Sequence, residues 1–221
     1  MSTTLHWVHD VPAFADTVQL PVDLLDVDLS VFTGVTATLT DPSGDAVSLT
    51  GATFTLDAET AEVSIHWGTT PRFEAPGLYS LQLALTGAGG IKNRLAPIPV
   101  VVQDEDGWYS VDGARAAMGD DFTRDDFQAY VLLECAKQSI LAYAPALAED
   151  AATPINYKQM QLAQARNLLN MAKTDPSQTD DGSFFVIRLY PLDNFIKQAL
   201  RPRSIHGWSL ATPAPSEELI L

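Results

Sequence analysis

The chain has 221 residues, of which 28 are acidic and 13 basic, so its formal net charge is −15. This acidity disfavours tight binding to DNA or RNA, because such affinity comes mostly from neutralised phosphates. No apolar run reaches the roughly 20 residues that a membrane-spanning helix needs, and the single cysteine rules out an intrachain disulfide. A content of 46% hydrophobic residues is enough to bury a real core.

Short runs of alternating apolar residues, typical of β-strands, occupy the first half of the chain. Turn-forming segments at 41–45, 76–77 and 87–90 separate several of these runs. Short antiparallel strands at this spacing predict a β-sandwich of the immunoglobulin-like kind. Gly77, just before Tyr79, indicates a strand entry at which the tyrosine hydroxyl bonds a nearby backbone group. The predicted strands are 17–22, 35–40, 61–67, 78–85 and 96–102.

The pattern changes to a helical period after residue 107. Ser110 or Asp112 can cap a short helix, and Gly119 is expected to end it. Thr123 and Asp126 then fit a relative of the capping box, which predicts the start of a longer helix.

Three more elements are predicted towards the C-terminus. The longer helix is expected to end or to kink at Pro145, and Thr153 is expected to cap a third helix over 154–174. Residues 184–190 are predicted as a strand and 191–200 as a short helix.

The change of period near residue 104 predicts a multidomain chain. Residues 1–104 are expected to form an N-terminal all-β, immunoglobulin-like sandwich. Residues 105–221 are expected to form a mostly α-helical domain with an extended C-terminal tail.

No sequence signature of catalysis is present. The chain contains no nucleophile elbow, no phosphate-binding glycine-rich loop and no His-Glu-x-x-His motif. His6, His9 and Asp10 are interpreted as surface residues rather than metal ligands, since their spacing is loose and no second ligand pair is evident. Cys135 is interpreted as a small buried apolar residue rather than a nucleophile. We therefore expect no enzymatic activity, no metal and no cofactor.

The third predicted helix is rich in amides rather than charges. Amides suit a helix that packs against a copy of itself or faces a polar channel, because they form hydrogen bonds without the cost of burying a charge. The alternative is an ordinary neutral surface. The candidate ring-interface or channel-lining residues are Gln159, Gln161, Gln164, Asn167 and Asn170.

A basic and aromatic run lies near the C-terminus of this acidic chain. Such a run suits docking onto an acidic partner surface, and the alternative is a purely structural closure of the fold. The candidate docking residues are Lys197, Arg201, Arg203 and Trp208.

The second half of the chain resembles the head-to-tail adaptor (head completion, or connector) proteins of long-tailed bacteriophages. The resemblance depends on the order and spacing of several motifs over about residues 105–205. Residues 16–20, 63–67 and 76–79 look like parts of the β-sandwich modules at the N-termini of phage baseplate proteins. The adaptor-like motifs are Trp108, Asp112-Gly-Ala-Arg115, 140–145, 154–157, 161–166, 190–193 and 196–202.

The resemblance implies a structural protein of the virion neck, assembled in the host cytoplasm. Such proteins form a ring, usually a dodecamer, beneath the portal and extend the DNA channel between capsid and tail. The implied partners are the portal protein and the stopper or tail-completion proteins, while genomic DNA passes through without specific binding. The basic run at Lys197–Arg203 would then dock onto the portal.

An alternative function is that of a baseplate or surface-decoration protein. In that case the β-sandwich would bind host carbohydrate or another virion protein. This interpretation requires an exposed aromatic platform, for which Trp7 or Trp67 would be the candidates.

Overall fold

Nine β-strands fold into two sheets in the computed structural model, which describes residues 4–12, 15–20, 28–90, 92–148, 151–174 and 192–201. The larger sheet has the order β1-β9-β7-β3-β4, with β8 paired to β7, and the smaller has the order β2-β6-β5. Strands β1 and β9 run parallel, and all other pairs are antiparallel. The strands are β1 (Thr4–Trp7), β2 (Asp16–Gln19), β3 (Phe32–Thr40), β4 (Ala46–Val47), β5 (Thr53–Asp57), β6 (Glu62–His66), β7 (Gly77–Gly87), β8 (Lys92–Arg94) and β9 (Ile98–Gln103).

The two sheets enclose one apolar core. Alternate residues of β7 and β9 point into this core, as a strand period of two requires. They meet alternate residues of β6 and β2 from the smaller sheet. The residues that these four strands contribute are Val18, Val63, Ile65, Tyr79, Leu81, Leu83, Leu85, Ile98, Val100 and Val102.

The alternation of apolar residues identified five of the nine described strands. Each of the five predicted strands overlaps an observed one, namely β2, β3, β6, β7 or β9. Strands β1, β4, β5 and β8 were not predicted; they have two to five residues, and so short a run carries little alternation. The predicted strand 184–190 lies outside the described residues.

The predicted role of Tyr79 is confirmed. Its hydroxyl donates to the carbonyl oxygen of Ala75 at 3.1 Å and accepts from the amide of Ala75 at 3.2 Å. Gly77 has φ 142°, and a Cβ at this position would lie 2.6 Å from the ring of Pro42. The turn before β7 therefore depends on both residues.

Replacing Tyr79 by phenylalanine should lower the free energy of unfolding by about 1–2 kcal/mol, because both backbone groups of Ala75 lose their partner. Urea denaturation measures the change. Tyr109→Phe is the matched control. Tyr109 is half-buried, and its hydroxyl forms no hydrogen bond with another described residue. Its replacement should therefore change the denaturation midpoint little. Equal midpoints for the two variants would contradict the role of the Tyr79 hydroxyl.

Four α-helices follow the strands in the described part of the chain. Ser110 caps the first helix, as predicted, by accepting a hydrogen bond from the amide of Gly113 at 3.0 Å. Gly119 ends this helix with φ 66°, also as predicted. No described helix is long and apolar enough to cross a membrane. The helices are α1 (Val111–Met118), α2 (Asp126–Tyr143), α3 (Ile155–Thr174) and α4 (Asn194–Leu200).

Two predicted caps are wrong. The carboxylate of Asp125, directly before α2, accepts from the amide of Gln128 at 2.8 Å, whereas the hydroxyl of Thr123 accepts from the amide of Asp125. The N-cap position is the residue adjacent to the first helical one, so Asp125 takes this role. The hydroxyl of Thr153 donates to the carbonyl oxygen of Asp106 at 3.1 Å instead of capping α3.

The helices pack against the outer face of the larger sheet. Val101 in β9 is fully buried, although its neighbours in the strand point into the core between the sheets. Leu5 of β1 packs against the cluster formed by α1, α2 and α3. The side-chain oxygen of Gln103 accepts from the amide of Val111 at 3.3 Å. Strand β9 is therefore covered on both faces.

This packing corrects the expected fold class. An N-terminal all-β sandwich followed by a mostly helical domain is wrong, because the molecule is a mixed α/β fold with two sheets, about 35% helical and 29% strand. The physical reason is that the helices and the larger sheet bury surface against each other. The three consecutive valines at 100–102 carried this signal, since a strand buried on both faces is continuously apolar rather than alternating.

Candidate functional site

The amide-rich helix α3 has an inner and an outer set of amides. Gln161 is 1% exposed, and its Nε2 donates to the carbonyl oxygen of Leu133 at 3.1 Å. Its Oε1 accepts from the amide of Tyr109 at 2.9 Å. Gln164 is fully buried. The predicted channel-lining or ring-interface role does not suit these two residues, because their side chains lie inside the chain's own fold.

Replacing Gln161 by alanine should lower the free energy of unfolding by about 1–3 kcal/mol, since the amide of Tyr109 and the carbonyl oxygen of Leu133 both lose their hydrogen bond to this buried side chain. Gln159→Ala is the matched control, because Gln159 lies two positions away on the exposed side and should change stability by less than about 0.5 kcal/mol. Urea denaturation of both variants distinguishes the two sites. Equal free energies of unfolding for Gln161→Ala and wild type would show that the two hydrogen bonds of Gln161 contribute nothing net to stability.

Asn167 connects α3 to the start of α4 through a hydrogen bond. Its Nδ2 donates to Oδ2 of Asp193 at 3.0 Å, while Oδ1 of Asp193 caps α4 by accepting from the amide of Ile196 at 2.8 Å. At the other end, Nδ2 of Asn156 donates to the carbonyl oxygen of Ala199 at 3.3 Å. Helix α4 thus lies antiparallel beside α3, and the side chain of Asn167 serves that packing.

The outer side of α3 carries the remaining candidate amides. Gln159 and Asn170 are exposed, as are Ile155, at 73%, and Arg166. These four residues fall on one side of the helix at the helical period. We call them the α3 face. Ile155 and Arg166 were not among the predicted residues, although their spacing from Gln159 and Asn170 places all four on one side of an α-helix.

Two of the predicted docking residues lie on or beside α4. Lys197 is half-buried, and Arg201, directly after the helix, is exposed. The guanidinium of Arg201 lies 5.0 Å from the ring centroid of Tyr143, within the range of a cation–π contact. We call Lys197 and Arg201 the α4 basic pair. Phe195 on α4 is a large apolar side chain that is 66% exposed, and it was not among the predicted residues.

Helices α3 and α4 differ in charge from the rest of the chain. The segments 155–174 and 194–200 contain four basic residues and no aspartate or glutamate, whereas acids outnumber bases by 28 to 13 over the whole chain. Their outer surface offers cations, amide groups and large apolar side chains. Such a surface can bind an acidic protein surface. Arg203 and Trp208, the other two predicted docking residues, lie outside the described residues.

An acid-lined cleft of about 150 Å³ lies where the larger sheet meets α2 and α3. Lys137 forms an ion pair with Asp106, and its Nζ lies 5.9 Å from the ring centroid of Trp108. The pKa of Tyr130, which also lines the cleft, is raised to about 12 because burial and the carboxylates of Glu134 and Asp106 disfavour the phenolate. The cleft is therefore electrostatically negative despite Lys137.

The segment that joins β9 to α1 contributes acids to this surface. Asp104 lines the cleft, whereas Glu105 lines an open depression of about 350 Å³ together with Asp10 and the half-buried Trp7. Asp10, Asp104 and Glu105 are all exposed. We call these three residues the acidic linker surface.

Of the two histidines near the N-terminus, His6 is not at the surface. His6 is 4% exposed, stacks on Phe73 with a centroid distance of 4.6 Å, and places Nε2 2.9 Å from Oδ2 of Asp16. The surface interpretation of His6 is therefore wrong, because β1 lies against the aromatic core. His9 and Asp10 are exposed, as predicted.

Metal-ligating side chains and the single cysteine were the remaining candidates for chemistry. No group of three or more potential ligand side chains among them could hold a metal ion. Cys135 is half-buried, and burial together with Glu134 raises the pKa of its thiol, which disfavours the reactive thiolate.

No known protein-family model matches the chain, and no curated protein is significantly similar to it.

Proposed function

We propose that this chain is a structural neck protein of a long-tailed bacteriophage. Copies of it form a ring beneath the portal, extend the DNA channel and join the capsid to the tail. The observation that carries the proposal is the charge of helices α3 and α4. Neither helix contains an acidic residue, although the chain has a net charge of −15. The order of the adaptor-like motifs supports the same proposal.

The proposal assigns a contact to each part of this surface. The α4 basic pair and the neighbouring Phe195 dock onto the portal, where cations set the orientation and speed of docking and the aromatic ring contributes buried area. The α3 face remains for contacts between copies in the ring. Ile155 and Phe195 are 73% and 66% exposed. Assembly would remove their apolar surface from water, which is favourable.

The net charge is consistent with passage of DNA. An acidic protein repels the phosphates of DNA and offers few cations to release its counterions. In the proposed ring, DNA moves through the neck without specific binding, and the stopper or tail-completion proteins bind the side away from the portal. The chain would act in the virion after assembly in the host cytoplasm.

The alternative role as a carbohydrate-binding baseplate or decoration protein gains no support. Trp67 is 1% exposed and packs edge to face on Phe73, while its indole N–H donates to Asp16. A buried indole cannot serve as a platform for a sugar ring. Trp7, the other candidate, is half-buried and lines the open depression. A single half-buried indole is not the exposed platform that this role requires, so we do not propose it.

Electron microscopy of portal rings from the phage that encodes the chain tests the proposal. Adding the wild-type protein should produce an extra coaxial ring on the portal. The double variant Lys197→Glu/Arg201→Glu should lose this ring, whereas Lys92→Glu/Arg94→Glu should keep it, since it makes the same charge change on two exposed residues of β8. Bare portals in the presence of folded wild-type protein would rule out the neck function.

A further inference from the structure

We propose that the α3 face of one copy docks onto the acidic linker surface of a second copy, in a head-to-tail contact. This inference rests on the proposed ring function and specifies which two surfaces meet between neighbours. It commits to a second copy of this chain as the occupant of the α3 face.

The α3 face lacks the carboxylates that usually accompany exposed cations. It presents Arg166, the amides of Gln159 and Asn170, and the apolar side chain of Ile155. A complementary surface must offer carboxylate acceptors for the guanidinium and some apolar area for Ile155.

The acidic linker surface meets both requirements. Asp10, Asp104 and Glu105 supply three exposed carboxylates, and Trp7 and Trp108 line the adjacent depression and cleft. The surface is concave on both sides of the linker, whereas the α3 face is the convex side of a helix.

Charge also determines the symmetry of the contact. In a two-fold dimer of α3 faces, Arg166 would meet only amide and apolar side chains and find no carboxylate partner. Two linker surfaces meeting each other would instead bring carboxylates of the same sign together. Pairing of the unlike surfaces gives Arg166 its carboxylates and avoids that repulsion. Such a heterologous contact generates closed rings or helical filaments rather than two-fold dimers.

The α3 face points away from the cleft that Asp104 of the acidic linker surface lines. Gln161 lines the acidic cleft from the inner side of α3, whereas Gln159 lies on the outer side. Two residues along an α-helix turn by about 200°. Both surfaces are thus available at the same time, as a head-to-tail contact requires.

Exchanging the charges tests this contact by sedimentation velocity at low salt. Wild-type protein should self-associate, and Arg166→Glu or Glu105→Arg alone should weaken association about tenfold or more. The double variant Arg166→Glu/Glu105→Arg should recover most of the affinity. The matched controls are Arg94→Glu and Glu59→Arg, both at exposed residues, and they should associate like the wild type. Arg94 pairs with Ala84, towards the opposite end of β7 from the Gly77–Val102 pair that lies next to the linker, and Glu59 lies in the turn between β5 and β6.

The outcomes separate this inference from the proposed function. Wild-type protein that stays monomeric at low salt, single variants that associate normally, or a double variant without recovery would each overturn the head-to-tail contact. Extra rings on the portal that form equally well with Arg166→Glu would overturn the contact but retain the neck function. Association that follows the charges, together with bare portals, would retain the contact and reject the neck function.

Discussion

Replacing Arg72 by methionine is expected to lower the free energy of unfolding by about 3–5 kcal/mol, because three backbone carbonyls lose a charged donor. Arg72 is 7% exposed, and its Nε donates to the carbonyl oxygen of Trp67 at 2.6 Å. Its two terminal nitrogens donate to the carbonyl oxygens of Ser48 and Thr50. One side chain thus joins the end of β6 to the loop between β4 and β5.

The local backbone leaves little room for water to replace this guanidinium. Gly68 has φ 85°, and a Cβ at this position would lie 2.8 Å from the carbonyl oxygen of Gly51. The loops approach so closely that only glycine fits. Burial also lowers the pKa of Arg72, which indicates the desolvation that the three hydrogen bonds must offset.

Urea denaturation measures this effect. Arg94→Met is the matched control, because Arg94 is exposed on β8 and its loss should cost less than about 0.5 kcal/mol. Arg72→Lys should fall between the two, since an ammonium group lacks the planar fork that reaches three carbonyls. Equal midpoints for Arg72→Met and Arg94→Met would show that the three hydrogen bonds contribute nothing net.

Replacing Leu132 by alanine is expected to lower the free energy of unfolding by about 2–5 kcal/mol, the range for a fully buried leucine. Leu132 is 0% exposed on α2 and belongs to the cluster that also contacts Leu5 of β1. Because the helices pack on β9, we expect the loss to destabilise the sheets as well as the helices.

Two spectroscopic signals separate these parts of the molecule. Helical circular dichroism reports on the helices, and fluorescence of a variant with Trp67 as the sole tryptophan reports on the core between the sheets. Both transitions should shift together in Leu132→Ala and should hardly shift in Leu141→Ala, whose side chain is 40% exposed on the same helix. A shift of the helical signal alone would show that the strands and helices unfold as separate units.

Local sequence features predicted the elements that depend on neighbours in the chain. Alternation identified β7, and Ser110 and Gly119 marked both ends of α1. Tyr79 and its partner Ala75 are four residues apart, so a short-range pattern was sufficient. These features depend on backbone geometry and hydrogen bonds over a few residues, which the local sequence encodes.

The candidate site was predicted only in part. The composition of α3 indicated an unusual helix, but composition did not distinguish Gln159 from Gln161. The partners of Gln161 are Tyr109 and Leu133, 52 and 28 positions away. The side of the helix that is buried depends on these distant partners, and no local pattern contains them.

The sequence by itself determined the acidity of the chain, the positions of five strands and of the helices that follow them, and the absence of acids from α3. Only the tertiary structure decided that the helices cover β9, that His6 is buried beside Phe73, and that Arg166 points outward with Gln159 and Asn170. The physical reason is that secondary structure follows from local periodicity, whereas burial follows from the packing of segments that are distant in the chain.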